Sequence, residues 1–163
     1  MSFAVRDPVT AYLALGANLG DAAATVRQAM DDIDAMQGTR VLRRSSLYRT
    51  DPLESSGPDY VNAVVEVSTN LTAPELLMQL QLLEQGAGRQ RPYRNAPRTL
   101  DLDVLFYGSA CIDSPHLVVP HPRMNARAFV LVPLAEIAPK LVSAETLGAV
   151  SNQSCSALFS PIR

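Results

Sequence analysis

The stretch Arg98-Thr99-Leu100-Asp101-Leu102-Asp103 places two carboxylates and a guanidinium within six residues. Side chains two apart on a strand point to the same face, so Asp101 and Asp103 lie side by side while Leu100, Leu102, Val104 and Phe106 share the opposite face. Adjacent carboxylates repel one another, and a cation between them relieves the repulsion. Paired hard oxygens, with water and phosphate filling the other positions, suit Mg²⁺. A solvated strand end with alternating acids would give the same pattern. The preceding loop narrows the choice: Arg89, Arg91, Arg94 and Arg98 occur there with no acid between Arg89 and Thr99. Arginine forks match phosphate oxygens in pairs. A cationic loop running into a carboxylate pair supplies the phosphate clamps and the metal ligands of a Mg–nucleotide site.

A second cationic cluster follows, with His116, His121, Arg123 and Arg127 inside twelve residues. No Cys or further His is spaced for zinc. Tyr60 and Asn62 sit two apart at the start of an expected strand, so a flat ring and a carboxamide share one face. That pair could bind a planar heterocycle or simply edge the core. Gly16-Ala17-Asn18-Leu19-Gly20 lacks the third glycine of a dinucleotide fingerprint and reads as a strand-to-helix turn. Lys140 has no glycine-rich run before it, which excludes a P-loop, and the protein-kinase HRD and DFG elements are absent.

The elements that must position these residues follow from periodicity. Ala11–Leu15 reads as a buried strand, and Asp21 opens a helix to about Met36 on which Val26, Ala29, Met30 and Ile33 recur at helical spacing. Gly38 closes it. Arg40–Tyr48 is a strand candidate, 51–59 a loop, and Val61–Thr69 a Val-rich strand. Pro74 after Thr72 starts a helix to about Gln85, ended by Gly86 and Gly88. Leu100–Tyr107 is a strand stopped by Gly108, and a short helix is expected near Val132–Ala138. The order strand, helix, strand, strand, helix, strand predicts an α+β fold of ferredoxin-like βαββαβ type, an antiparallel sheet with helices on one face and a C-terminal extension. One domain over 1–163 is expected, with its core at about 10–140 and a peripheral tail.

Composition sets the outer bounds. At 47% hydrophobic and 18% charged residues, the 163-residue chain is too apolar to be disordered. Its net charge of −2 argues against a general nucleic-acid binder, although 13 of the 14 basic residues are Arg. An RNA-binding module would also need aromatics alternating along its central strands, which Tyr12–Leu15 and Val61–Val67 lack. Cys111 and Cys155 are too far apart in sequence for a CxxC pair, and Asp7 and Pro8 interrupt the start where an export signal needs an apolar run, so a cytoplasmic protein with reduced thiols is expected. No apolar stretch reaches the ~18 residues of a membrane span.

AYLALGANLGD at 11–21, SSLYRTDPL at 45–53, PDYVNAVVEV at 58–67, PRTLDLDVLFYG at 97–108 and VPHPRMNARAFVLVPLAEIAP at 119–139 together resemble the 6-hydroxymethyl-7,8-dihydropterin pyrophosphokinase family of folate biosynthesis. The resemblance implies a ferredoxin-like fold and transfer of pyrophosphate from ATP to the pterin hydroxymethyl group, releasing AMP, with two Mg²⁺ ions. It implies that Asp101 and Asp103 bind metal and that Arg89, Arg91 and Arg98 act in catalysis on the phosphates. Gln81, Glu84, Arg91, Arg98, Val104, His116, His121 and Arg127 would bind ATP. Thr50, Leu53, Tyr60, Asn62 and Phe129 would bind the pterin. A cytoplasmic monomer with small-molecule partners, and neither nucleic acid nor membrane, is implied. The chain departs from the family pattern at Asn95, where a Trp is common, and at Asp51, which replaces a usual Pro.

Overall fold

Nine residues, Val9–Ala17, form β1 in the computed structural model, which describes residues 6–51, 59–88 and 100–158. Then come α1 (Ala22–Asp34), β2 (Thr39–Arg44), β3 (Tyr48–Thr50), β4 (Tyr60–Thr69), α2 (Ala73–Gly88) and β5 (Asp101–Tyr107). Asp21 caps α1 as its sequence position suggests, accepting from Ala24 N at 3.1 Å. Thr72 and Glu75 close a reciprocal capping box on α2: Glu75 N donates to Thr72 Oγ1 at 3.2 Å and Thr72 N donates to Glu75 Oε1 at 2.8 Å. That helix continues through Gly86 to Gly88, past the expected stop.

The single strand expected over 40–48 is two short ones, both paired antiparallel with β4. Ser45 separates them. Its N–H donates to Val64 O and its Oγ accepts from Val64 N, each at 2.9 Å, so a hydroxyl replaces one rung of the ladder. The strand order is β5-β1-β4-β3, with β2 also on β4. β1 is antiparallel to both β4 and β5, and β4 lies between β1 and β2.

Helices cover both faces of the sheet, which corrects the expectation of helices on one face. On the first face α1 and α2 bury Val26, Ile33, Leu76 and Leu80 against Leu13, Leu15, Val65, Val67, Leu102 and Val104. On the second face α3 (Ala128–Ile137) buries Val130, Leu131 and Leu134 against Ala14, Val64 and Leu105. Each fully buried Leu or Val here contributes about 1.5–3 kcal/mol relative to exposure. α3 starts four residues earlier than expected and is apolar nearly all round, which conceals its period. The second face also explains the consecutive apolar residues Ala63, Val64 and Val65 in β4: both sides of the strand are buried there.

A bulge where β1 meets β5, between Tyr12 and Leu13, adds a residue on the β5 side. Phe106 therefore leaves the face of Leu102 and Val104 and packs edge-on against Tyr12, ring centroids 6.2 Å apart, on the second face. Tyr107 takes its place in the first cluster. Beyond β5, β6 (Ile112–Asp113) pairs with β7 (Val118–Val119). The C-terminal segment forms α4 (Ala144–Gly148) and β8 (Ser156–Ala157), which joins the sheet edge against β3. Among the described residues, no helix is long and apolar enough to cross a membrane.

The C-terminal end of α3 is fastened to the sheet. Arg43 Nη1 donates to Ile137 O at 3.0 Å. Glu136 accepts three bonds, from Ser46 N (2.9 Å), Ser46 Oγ (2.8 Å) and Tyr48 OH (2.7 Å). Burial works to raise the Glu136 pKa, but the bonds from Tyr48 and Ser46 outweigh it and the net shift is downward. A carboxylate lowered in the folded state stabilises above its unfolded pKa and loses that stabilisation as pH falls through the folded value. Glu136→Gln should thus lower unfolding free energy by about 1 kcal/mol at about pH 7, discounted for an exposed group, and by much less at about pH 3. Denaturant titrations of both proteins at the two pH values check this; an equal gap at both would contradict it.

Candidate active site

Backbone register aligns the chemistry-bearing residues across four strands. Asp101 pairs with Gly16, Gly16 with Asn62, and Asn62 with Tyr48. One rung along, Asp103 pairs with Ala14 and Ala14 with Val64. Paired residues share a face, so both aspartates, Asn62 and α3 all lie on the second face. With strands about 4.8 Å apart, roughly 10 Å separates the Asp101 and Asn62 backbones. Gly16 occupies the gap. A Cβ there would stand 2.7 Å from Asn62 Oδ1, inside van der Waals contact. Glycine is required at this point by close approach rather than by a turn.

Asn62 is only 6% exposed and Thr50 only 2%. Asn62 Nδ2 donates to Thr50 Oγ1 at 2.7 Å, which fixes the carboxamide plane and leaves its second amide hydrogen for another acceptor. Tyr60 pairs with Thr50 and shares the face of Asn62, as the two-residue spacing required. Tyr48, beside Asn62, is held by Glu136, and burial followed by that hydrogen bond pushes its phenol pKa up, so it stays a donor.

Three residues from the chain after β7 complete this side. His121 N donates to Leu105 O at 3.0 Å, docking the segment onto β5 two residues past Asp103. Arg123 N donates to His121 Nδ1 at 3.2 Å, so the neutral ring carries its proton on Nε2. Burial lowers the His121 pKa; Asp103 opposes this, while Arg127 and Arg123 reinforce it, and the ring is neutral near pH 7. The Arg127 guanidinium lies 5.4 Å from the Phe129 ring centroid, a cation–π contact.

The other expected nucleotide residues divide. Gln81 and His116 line a cleft of about 320 Å³ between α2 and the β6–β7 segment, with Leu77, Met78, Ile112 and Leu117 as apolar walls. Apolar walls with a few polar side chains, here Gln81, Ser114 and His116, suit an aromatic heterocycle. Glu84 turns instead to the sheet edge, where its Oε2 accepts from Leu102 N at 2.7 Å, between the two aspartates in sequence. Val104 is 4% exposed and packs into the α1–α2 core, on the face opposite the aspartates. Leu53 and Arg89, Arg91, Arg94 and Arg98 fall outside the described residues.

Among the described residues, no group of three or more His, Cys, Asp or Glu could hold a metal ion. The carboxylate pair on β5 fits an ion that takes its remaining oxygens from water and phosphate, as Mg²⁺ does, rather than one fully caged by protein. The sequence places Gly16 at a turn, whereas it lies within β1; a glycine after an apolar strand run is the signal for it. Glu136, the lone acid on α3, gave no signal that three donors converge on it.

A family model described as 7,8-dihydro-6-hydroxymethylpterin-pyrophosphokinase matches residues 12–139. A Pseudomonas aeruginosa protein named 2-amino-4-hydroxy-6-hydroxymethyldihydropteridine pyrophosphokinase is 46% identical over 131 residues, covering 80% of this chain and 81% of its own. A Methylorubrum extorquens protein of the same name is 47% identical over 133 residues, covering 81% and 84%. The fold is also similar to a Plasmodium falciparum HPPK-DHPS crystal structure with pterin and p-hydroxybenzoate, with a TM-score of 0.63 at 14% identity over 91% of this chain. The chain spans 42% of that longer protein. On the match over residues 12–139 and these identities, the chain belongs to the 7,8-dihydro-6-hydroxymethylpterin-pyrophosphokinase family.

Proposed function

We propose that the chain transfers the terminal pyrophosphoryl group of ATP to the hydroxymethyl oxygen of 6-hydroxymethyl-7,8-dihydropterin, a step of folate biosynthesis. The hydroxymethyl oxygen bonds to the β-phosphorus, the bond from that phosphorus to the α–β bridging oxygen breaks, and AMP leaves with that oxygen. The hydroxyl proton is released. The observation that carries this reading is the row Asp101–Gly16–Asn62, which puts a carboxylate pair and a fixed carboxamide on one sheet face with no side chain between them.

Asn62 and Thr50 hydrogen-bond the pterin edge, and Tyr60 and Phe129 bound its ring, with Leu53 from the neighbouring loop. Gln81 and His116 receive the adenine end of ATP in the α2 cleft. Glu84 acts through β5, holding the Leu102 amide and so the strand that presents Asp101 and Asp103. Arg127 and the neutral His121, a donor through Nε2, face the phosphates, joined by Arg89, Arg91 and Arg98. Two Mg²⁺ ions held by Asp101 and Asp103 would neutralise triphosphate charge and orient the β-phosphorus. The protein's share is then positioning and charge compensation rather than covalent chemistry. The strand order β5-β1-β4 with β2 beside β4 supports a ferredoxin-like unit within a single domain. A cytoplasmic monomer with reduced Cys111 and Cys155 completes the reading.

Incubation with Mg-ATP and the hydroxymethyl pterin should yield AMP and the pterin diphosphate in equal amounts; ADP, or turnover independent of pterin, would overturn the reading. Asp103→Asn should cut kcat at least a hundredfold, a loss of about 2.7 kcal/mol or more of transition-state stabilisation, because Asp103 is exposed and its loss removes a ligand rather than packing. Its thermal midpoint should stay within about 2 °C of wild type. A destabilised but active variant would make the carboxylate structural.

A further inference from the structure

The N-terminus of α3 is capped from outside the helix. Its own N-cap residue, Arg127, makes no side-chain capping bond, and the first backbone N–H groups of a helix lack internal partners. Gln153 supplies one from 25 residues away. Its Oε1 accepts from Ala128 N at 2.9 Å and its Nε2 donates to Ala126 O at 2.9 Å. The two ends of one carboxamide thus grip the backbone on either side of Arg127, at Ala126 and at Ala128, the residue before Phe129. Cys155 Sγ, 3.8 Å from Ala128 O, adds a weak donor, and burial, which pushes its thiol up to about 11, keeps the proton in place.

The same segment reaches the other wall of the site. In β8, Ser156 pairs with Arg49 and Ala157 with Tyr48, and Leu158 N donates to Leu47 O at 2.8 Å. Residues 153–158 therefore bridge the start of α3 to β3, the strand that carries Thr50 and Tyr48. This segment lies beyond residue 139, where the family match ends.

We infer that Gln153 is a positioning residue that sets Phe129 and Arg127 over the sheet, and that residues 153–158 form a strap joining the two walls of the pterin pocket. The inference rests on the proposed placement of the pterin between Phe129 and Asn62. Without the carboxamide, Ala128 N and Ala126 O lose their partners, the 126–128 turn gains freedom, and the ring it carries no longer meets the ligand in one orientation. Displacements of about 1 Å at such a position are costly for catalysis.

Gln153→Met keeps the length and bulk of the side chain while deleting both hydrogen bonds. Binding of 6-hydroxymethyl-7,8-dihydropterin should be measured by calorimetry in the presence of α,β-methylene-ATP and Mg²⁺, for wild type, Gln153→Met, Phe129→Ala and the double variant. Gln153→Met should weaken pterin binding about tenfold in the wild-type background, the scale of one lost net hydrogen bond, and less than about twofold once Phe129 is gone. Unchanged binding in Gln153→Met, or the same tenfold loss in both backgrounds, would overturn the inference while leaving the pocket assignment standing. Absence of pterin binding by the wild-type protein would overturn the pocket assignment and the inference with it. If Gln153→Met fails to fold, Gln153→Glu, which retains the acceptor for Ala128 N, carries the same comparison.

Discussion

Everything at this site depends on β1 being hydrogen-bonded on both sides. Because it is antiparallel to β4 and to β5, Gly16 takes Asn62 as one partner and Asp101 as the other. A shift of one residue in either ladder would send the carboxylates or the carboxamide to the opposite face of the sheet. Side-chain alternation and the buried Leu13, Leu15, Val65 and Val67 hold that register, since slipping would take them out of the core they form with α1 and α2. The core thus does more than stabilise: it fixes which polar groups meet. Glycine at position 16 lets them meet without an intervening side chain.

A second constraint acts through α3. The helix carries Phe129 near its start and Glu136 near its end, and both ends are fastened to other elements. Glu136 and Arg43 tie the C-terminal end to β2, β3 and their connection. Gln153 ties the N-terminal end to the C-terminal segment. Pro133 sits inside the helix and removes one internal hydrogen bond, so anchors from outside count for more there than in an uninterrupted helix. A helix held this way presents its N-terminal turn to the sheet at a defined height, which Arg127 and Phe129 share.

Much of this was legible in the chain. Asp21, Thr72 and Gly108 marked element ends because capping and tight turns demand particular residue types at particular places. Asp101–Asp103 and Tyr60–Asn62 announced their shared faces through two-residue spacing. What could not be read depended on partners distant in sequence. The bulge that moves Phe106 to the second face is set by how β5 meets β1, and alternation along β5 alone predicted the wrong side. Helices on both faces were hidden because α3 is apolar all round and lacks a periodic signal. Glu136 and Gln153 are single polar residues whose partners lie 90 and 25 positions away. Resemblance assigns Val104 to the nucleotide, but its side chain is buried in the α1–α2 core and is not among the residues that line that cleft.

Gly16 keeps the space between the carboxylates and the carboxamide open. Gly16→Ala tests this directly, because the added methyl carbon meets only the Asn62 carboxamide at close range, and the carboxamide that Thr50 holds must shift for the two to coexist. Calorimetric titration with the hydroxymethyl pterin and, separately, with Mg-α,β-methylene-ATP gives the two affinities. Gly16→Ala should lose at least tenfold in pterin affinity, about 1.4 kcal/mol or more, with the nucleotide affinity within about threefold of wild type. Pterin binding as tight as wild type would contradict it.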